Sequence, residues 1–256
     1  SGDSGVSARE LSGIGSANIV QTKITTSNGA TDDYFGFNVA IGGTIIAVGA
    51  YGRDNPAGSG AVYILDHKGN ELGIVTASDA DVEDYFGRPV EVGPTKIVVG
   101  AAWNDDGGER AGSAYLYDHK GENEIKLTAS DPDGYDYFGY GVGIGGTIVV
   151  VGAMYADDPS ASGAAYIFDL DGNQLGIITA SDAGADDYFG RTLAVGPTKI
   201  VIGARNDDDK GSNAGAVYVY DHKGNNEVKI TASDAAANDQ FGDLAIAVND
   251  KYIAVS

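Results

Sequence analysis

The sequence contains no cysteine, and it is poor in proline and in basic residues. Its 256 residues include six Pro, one Met and one Trp, and only 16 Lys and Arg face 37 Asp and Glu. The lack of cysteine excludes disulfides, thiol catalysis and zinc thiolate sites. A formal net charge of -21 argues against a nucleic-acid partner, because phosphate binding needs a basic face. No hydrophobic run approaches the roughly eighteen residues of a membrane span, so membrane insertion is not predicted.

Glycine is abundant, with 39 residues, and it marks an internal repeat. Repeats with periods of about 20–50 residues are typical of solenoids and propellers. The motif Asp-Tyr-Phe-Gly occurs four times, and a degraded fifth copy follows. The copies are Asp33–Gly36, Asp84–Gly87, Asp136–Gly139, Asp187–Gly190 and Asp239–Gly242. We assign the phenylalanine of each copy to a core between repeats.

Each repeat contains four short runs of β character with turn residues at every gap. The first run alternates, as in Asn38–Ile41, and the second is apolar throughout, as in Ile45–Ala50. A strand that is apolar on both faces lies between two neighbouring sheets. Helical periodicity is absent, and four strands per repeat are typical of a propeller blade.

We therefore predict an all-β fold, a five-bladed β-propeller with four antiparallel strands per blade. The last blade is predicted to be closed by strands from both termini, with Val6–Leu11 and Asn18–Thr25 completing the sheet of Phe241–Ser256. Such closure removes exposed sheet edges. The chain then forms a single domain, 1–256, with units at about 36–86, 87–138, 139–189, 190–241, and 242–256 joined to 1–35.

Alternate repeats are more alike than adjacent ones. The first and third carry Gly-Gly-Thr at the first turn, from Gly42 and Gly145, whereas the second and fourth carry Gly-Pro-Thr-Lys, from Gly93 and Gly196. This pattern indicates duplication of a two-blade module. The fifth repeat is then either the mismatch that closes an odd ring or part of a longer propeller, and the complementary half-repeats favour closure.

The order of the motifs resembles a known repeat. Phe-Gly is followed by Val-Gly-Ala, then by an aromatic third strand and by Thr-Ala-Ser-Asp, as in Thr76–Asp79. This order resembles the FG-GAP repeat of integrin alpha-chain propellers, and its bacterial and phage branch most of all, over Asn18–Ser256. The resemblance implies an extracellular or surface-exposed propeller for adhesion and recognition, often with calcium. The calcium loop of the integrin type, between the first and second strands, is replaced here by a bare hairpin.

Acidic residues concentrate in the loops of one predicted face, and aspartates five residues apart recur at the blade junctions, as in Asp79 and Asp84. Neighbouring carboxylates repel each other, and a hard cation with oxygen ligands offsets that repulsion. We therefore predict calcium or another divalent ion there. The alternative is that these aspartates form turns and solvate the surface. The predicted metal ligands are Asp79, Asp81, Asp84, Asp131, Asp133, Asp136, Asp182, Asp187, Asp234 and Asp239.

Aromatic residues follow the apolar second strands in the same loops. Trp103 lies beside Asn104 and Asp105, and Tyr51 and Tyr155 occupy comparable positions. An aromatic ring with a polar neighbour suits stacking on a sugar. These five residues are the predicted ligand-binding residues.

Catalysis is not predicted. A paired-carboxylate glycosidase needs two acids within roughly 5–9 Å, and five-bladed glycosidases place them on the innermost strands. Only Glu91 and Asp243 are acidic on those strands, with Arg88 and Arg191 near the same ring. No Gly-x-Ser-x-Gly motif occurs either.

Together these features predict a non-catalytic recognition or adhesion module, extracellular or on a cell or virion surface. The expected partner is a cell-surface glycan or protein receptor, bound through the acidic loop face, with calcium as the expected cofactor. Further domains of a larger surface or virion protein are also expected as partners. The alternatives are a structural spacer or lattice-forming surface protein without a small ligand, and a carbohydrate-active enzyme that uses Glu91 and Asp243.

Overall fold

The computed structural model describes residues 22–53, 57–156 and 160–256. Within these ranges the chain forms eighteen β-strands and no helix, so the all-β prediction is confirmed. The described residues accordingly contain no helix able to cross a membrane.

The strands form four sheets of four strands and one sheet of two, and every pairing within them is antiparallel. The first sheet contains β1 (Val39–Gly42), β2 (Ile45–Ala50), β3 (Ala61–Asp66) and β4 (Glu71–Val75). The second contains β5 (Val90–Val92), β6 (Lys96–Ala101), β7 (Ser113–Asp118) and β8 (Ile125–Leu127). The third contains β9 (Phe138–Gly145), β10 (Ile148–Ala153), β11 (Ala164–Asp169) and β12 (Gln174–Ile178). The fourth contains β13 (Phe189–Val195), β14 (Lys199–Ala204), β15 (Ala216–Asp221) and β16 (Val228–Ile230), and the fifth contains β17 (Ile246–Val248) and β18 (Ile253–Val255).

The hydrophobic core lies between consecutive sheets. Separate clusters of buried side chains join the first sheet to the second, the second to the third, the third to the fourth, and the fourth to the fifth. Strands β2, β6, β10 and β14 lie second in their sheets and are almost wholly buried, as their apolar sequences predict. Phe86, Phe138 and Phe189 are buried in these clusters, so the core assignment of the motif phenylalanines is confirmed for these three.

Glycines bring the backbones of neighbouring sheets into contact. The amide of Gly87 donates to the carbonyl of Gly100 within its own sheet, at 3.1 Å. The carbonyl of Gly87 meanwhile faces Gly49 of the preceding sheet so closely that a Cβ on Gly49 would collide with it. Gly87 itself has a φ of 90°, which disfavours any side chain there. The same contact recurs from Gly100 to Gly139.

The predicted closure of the last blade is not confirmed. Among the described residues the fifth sheet contains only β17 and β18, both from the C-terminal segment. Val6–Leu11 and residues 18–21 lie outside the described residues, and residues 22–25 form no strand. Ile24 instead packs on the first sheet through its side chain. The count of five complete blades therefore stays a prediction.

On the side that faces away from the second sheet, the first sheet is covered at β2 and β3 but exposed at β1. Val39 and Ile41 on β1 are 58% and 69% exposed, whereas their counterparts on β9, Val142 and Ile144, are 5% and 9% exposed beneath the second sheet. The described residues place no sheet over Val39 and Ile41.

Candidate functional site

The Asp-Tyr-Phe-Gly loops share one backbone geometry. In each copy the aspartate accepts a hydrogen bond from the backbone amide three residues earlier, as Asp84 Oδ2 does from Asp81 N at 2.9 Å. The residues on either side, Glu83 and Tyr85, have φ values of 65° and 54°. The carboxylate therefore stabilises a turn whose backbone is strained, and the conformation of this turn sets the direction of the tyrosine side chain. The equivalent bonds are made by Asp33, Asp136, Asp187 and Asp239, at 2.7, 2.9, 2.7 and 2.7 Å.

These loops and the loops after the second strands meet in a continuous row of aromatic rings, which we call the aromatic arc. Consecutive ring centroids lie 4.8, 5.7, 5.3, 5.5, 5.3 and 4.9 Å apart. Such spacings are those of favourable aromatic pairs. Tyr34 is exposed and the other rings are half-buried. In order, the arc consists of Tyr34, Tyr51, Tyr85, Trp103, Tyr137, Tyr155 and Tyr188.

The structure thus brings together three of the five predicted ligand-binding residues, Trp103, Tyr51 and Tyr155, and adds four tyrosines that sequence reasoning missed. The signal was present, because a tyrosine precedes Phe-Gly in four of the five copies of the motif. The other two predicted residues, Asn104 and Asp105, lie outside the arc, and their side chains accept hydrogen bonds. Asn104 is buried and bonded to Ser113 at 2.9 Å, and the Asp105 carboxylate accepts the Arg110 amide at 2.6 Å.

A shallow groove adjoins one end of the arc. Tyr34, Tyr51 and Tyr85 line it together with Asp32 and Glu83, and its volume is about 370 Å³. Both carboxylates are exposed. The groove therefore combines aromatic faces with hydrogen-bond acceptors.

A second cavity, of about 380 Å³, opens beside the middle of the arc. It is lined by the first strands of the second to fifth sheets, by residues that lead into them, and by Phe37 and Asn38 just before β1. Arg88 lies on its rim. The guanidinium carbon of Arg88 is 4.5 Å from the ring centroid of Trp103, 5.0 Å from that of Tyr140 and 5.9 Å from that of Phe37. At these distances the guanidinium is held by cation–π contacts.

Asp243 lines the same cavity and is held by two other arginines. Its Oδ1 lies 2.6 Å from Nε of Arg191 and 3.3 Å from a terminal nitrogen of Arg205. Arg191 also donates to the hydroxyl of Tyr140, at 2.9 Å. The cavity rim therefore carries the guanidinium groups of Arg88 and Arg191, and a third, that of Arg205, contacts the Asp243 carboxylate, in a strongly acidic chain.

Glu91 is the other acid on the cavity wall. Its side chain is exposed within the cavity, and the protein around the cavity partly desolvates the carboxyl, which raises its pKa to about 7. No salt bridge of Glu91 is present among the described residues. The pKa of Glu91 is raised because neutralisation is the less costly state of a carboxyl in such surroundings.

Two of the predicted metal ligands lie instead in lysine-centred acidic clusters on the outer part of the same face. In the fourth sheet the Lys229 ammonium lies 2.7 Å from Asp182, 2.6 Å from Asp207 and 2.6 Å from Asp209. The Tyr218 hydroxyl lies within hydrogen-bond distance of Asp182 and Asp207, at 2.8 and 2.9 Å, and shares its one hydrogen between these two acceptors. Burial alone would raise the pKa of Asp182, but the hydrogen bonds from Lys229 and Tyr218 lower it.

The second sheet repeats this arrangement. Lys126 lies 2.5 Å from Asp79 and 2.5 Å from Asp106, and the Tyr115 hydroxyl donates to Asp79 at 2.8 Å. The matching residues of the first and third sheets are Ile74 and Ile177, so these sheets have no such lysine. The two-repeat alternation seen in the sequence therefore extends to the side-chain chemistry.

The remaining predicted metal ligands are spread over the junction loops. Asp81 and Asp133 each accept a hydrogen bond from the next backbone amide, at 2.7 Å, and Asp131, Asp234 and Asp239 are exposed. Within the described residues, one group of three acids brings its oxygens within 4.8 Å of one another, and it consists of Asp182, Asp207 and Asp209. Asp207 and Asp209 are outside the predicted set, and Lys229 already lies among the three carboxylates.

Comparison with known proteins identifies the repeat. The family described as FG-GAP repeat matches residues 20–65, 70–117, 122–168 and 173–220, which is more than half of the chain. The chain belongs to the FG-GAP repeat family. The comparison with curated proteins gave no match. Among solved structures, one titled "Crystal structure of the computationally designed Ika4 protein" is similar with a TM-score of 0.49 and 15% identity, over 79% of this chain and 99% of that one.

The FG-GAP motif has a direct physical basis in this chain. The FG glycine and the glycine of Val-Gly-Ala are the residues that meet across each sheet junction, as Gly87 meets Gly49. The FG phenylalanine fills the core beneath that contact. The FG-GAP signature therefore describes how repeats join, and the loop residues that form the arc lie outside it.

Proposed function

We propose that this chain is a non-catalytic recognition module of an extracellular or surface-exposed protein, and that it binds a glycan across the aromatic arc. The observation that supports the proposal is the unbroken row of seven rings on one loop face. Ring faces bind the apolar C–H faces of sugars, and a row of rings offers several such positions. A pocket that combines aromatic walls with a few polar groups is the usual form of a small-molecule site.

The groove beside Tyr51 supplies the polar part of such a site. Asp32 and Glu83 place exposed carboxylates beside three tyrosine rings. Sugar hydroxyls donate hydrogen bonds to carboxylates, and a charged acceptor strengthens these bonds. A sugar stacked on Tyr51 would therefore have hydrogen-bond partners at both sides.

The non-catalytic part of the proposal is supported by the state of Asp243. A glycosidase pair requires one carboxylate to act as nucleophile or base and the other to act as acid. Asp243 is tied to Arg191 and Arg205 through its Oδ1, and Glu91 and Asp243 are the only acids on the predicted innermost strands. Calcium, proposed from the sequence, would bind at the exposed junction carboxylates, such as Asp131 and Asp133.

A glycan array tests the proposal. We expect binding to a defined set of glycans by the full chain, and a loss of at least about tenfold in affinity for Trp103→Ala and for Tyr51→Ala, as for truncated aromatic hot spots. Trp103→Phe keeps a ring and should retain more affinity. Tyr252→Ala removes an aromatic side chain that is 73% exposed and outside the arc, and it should bind as the wild type does. Absence of glycan binding, or equal binding by all four variants, would contradict the proposal.

A further inference from the structure

Arginine side chains are concentrated around the cavity beside the arc. The chain has a formal net charge of -21, yet Arg88 and Arg191 both line this cavity, and Arg205 reaches the Asp243 carboxylate on its wall. Arg191 and Arg205 share one carboxylate, that of Asp243. Arg88 has no carboxylate partner among the described residues and is held by ring contacts alone. An acidic chain with this local excess of guanidinium groups has a place for an anion.

Arg88 is also oriented for recognition. Its guanidinium lies over Trp103 and Tyr140, and Phe37 is near it on the same rim. These ring contacts restrict the side chain, so less conformational entropy is lost when a ligand binds it. A guanidinium presents a planar set of donors that matches a carboxylate with two parallel hydrogen bonds.

The cavity and the arc form one surface. Trp103 belongs to the arc and contacts Arg88, and Tyr140 lines the cavity and lies 5.8 Å from Trp103 between ring centroids. A ligand that stacks on Trp103 therefore reaches Arg88 with an adjoining group. The cavity volume of about 380 Å³ is within the range of small-ligand sites.

We infer that the glycan bound by this chain is acidic, and that Arg88 binds a carboxylate of the sugar at the rim of the cavity while Trp103 stacks on the same or the next sugar ring. This inference rests on the proposed glycan-binding function. Glu91 lies on the cavity wall below. Its raised pKa, about 7, leaves a large part of it uncharged at neutral pH, so it opposes an anion less than an ordinary glutamate would.

The test is an array of glycans with uronic or sialic acid, each beside the same glycan with its carboxyl groups reduced to alcohols, together with sulfated neutral glycans and a poly-glutamate peptide. We expect wild-type chain to bind carboxylated glycans at least about tenfold more tightly than their reduced forms, as befits a lost bidentate ion pair. Arg88→Gln should remove that preference. Arg88→Lys keeps the positive charge but lacks the planar pair of donors, so it should retain only part of the preference for carboxylated glycans.

Lys223→Gln is the matched control, because it makes the same charge change at an exposed turn between β15 and β16. Its preference should equal that of the wild type, and the thermal midpoint of each Arg88 variant shows that it is folded. Equal binding of carboxylated and reduced glycans, with sensitivity to Trp103→Ala, overturns the inference and leaves the proposed function standing. Binding of sulfated glycans alone, or of poly-glutamate in place of glycans, also overturns it. If no glycan binds at all, both proposals fail.

Discussion

The Lys229 ammonium lies 2.6 Å from a carboxylate oxygen of Asp207, whose side chain is 4% exposed. The same ammonium contacts Asp182 and Asp209, so one lysine faces three carboxylates. Lys126 occupies the corresponding position in the second sheet. These lysines occupy the position that a bound cation would take between the acidic loops.

We predict that Lys229→Met destabilises the fold, because it leaves three carboxylates together without a counter-charge. Removal of one partner of a buried ion pair costs about 3–5 kcal/mol, and the exposure of Asp182 and Asp209 lowers this to about 2 kcal/mol. The thermal midpoint should fall by roughly 4–8 °C for a chain of this size. Lys223→Met at the exposed turn is the control and should change the midpoint by less than about 2 °C. Equal midpoints for both variants would show that the ion pairs add no stability.

Calcium should stabilise Lys229→Met more than it stabilises the wild type. Without the ammonium, Asp182, Asp207 and Asp209 offer oxygens within 4.8 Å of one another, which are suitable ligands for a hard cation. At about a hundred times its dissociation constant, a bound ion adds about 2.7 kcal/mol. The measurement is the thermal midpoint of both proteins in calcium and in chelator. An equal calcium shift in both proteins would contradict this prediction and place the ion at the other predicted loops, such as Asp131 and Asp133.

Gly100→Ala should destabilise the fold by at least about 2 kcal/mol, as expected for overpacking against rigid backbone. A Cβ there would collide with the carbonyl oxygen of Gly139 in the next sheet. Gly176→Ala is the control, since a Cβ at Gly176 meets nothing within 4 Å, and it should change stability by less than about 0.5 kcal/mol. Urea unfolding of the two variants measures the difference. A tolerated Gly100→Ala would mean that neighbouring sheets can move apart.

Glu91 should make the stability depend on pH. Its pKa is about 7 in the folded chain, against 4.5 without burial. The folded state thus favours the proton, so Glu91 leaves stability unchanged below about pH 4.5 and lowers it as the pH rises towards 7. Because the side chain keeps contact with water, we expect a loss of about 1 kcal/mol. Glu91→Gln should remove this part of the pH profile and be more stable than the wild type at pH 8, as measured by urea unfolding from pH 4 to pH 8. Parallel profiles for the two proteins would show that the carboxyl is fully solvated.

Local sequence pattern was sufficient for much of the fold. The apolar run Ile45–Ala50 predicted a strand buried on both faces, and the structure places it second in its sheet. Phe86 was predicted as core and is buried. Such features follow from hydropathy and turn-forming residues, which can be recognised from residues close together in the sequence.

The site was harder to predict because its contacts join residues that are distant in the sequence. Tyr51 and Tyr85 come from different repeats, and their rings meet only when two sheets are packed. The φ of 54° at Tyr85, which directs its side chain, leaves no trace in hydropathy. The role of Lys126 was missed for a similar reason, since its partners Asp79 and Asp106 lie in two separate loops.

The glycine contact between Gly49 and Gly87 has an evolutionary consequence. The backbones of two neighbouring units are in direct contact there. The angle at which one unit packs on the next is therefore independent of the side chains that face solvent. A pair of units can therefore be copied, exchanged or inserted as a cassette without redesign of its neighbours. The rings and charges at the rim are then free to diverge from copy to copy, as Trp103 has from Gly52.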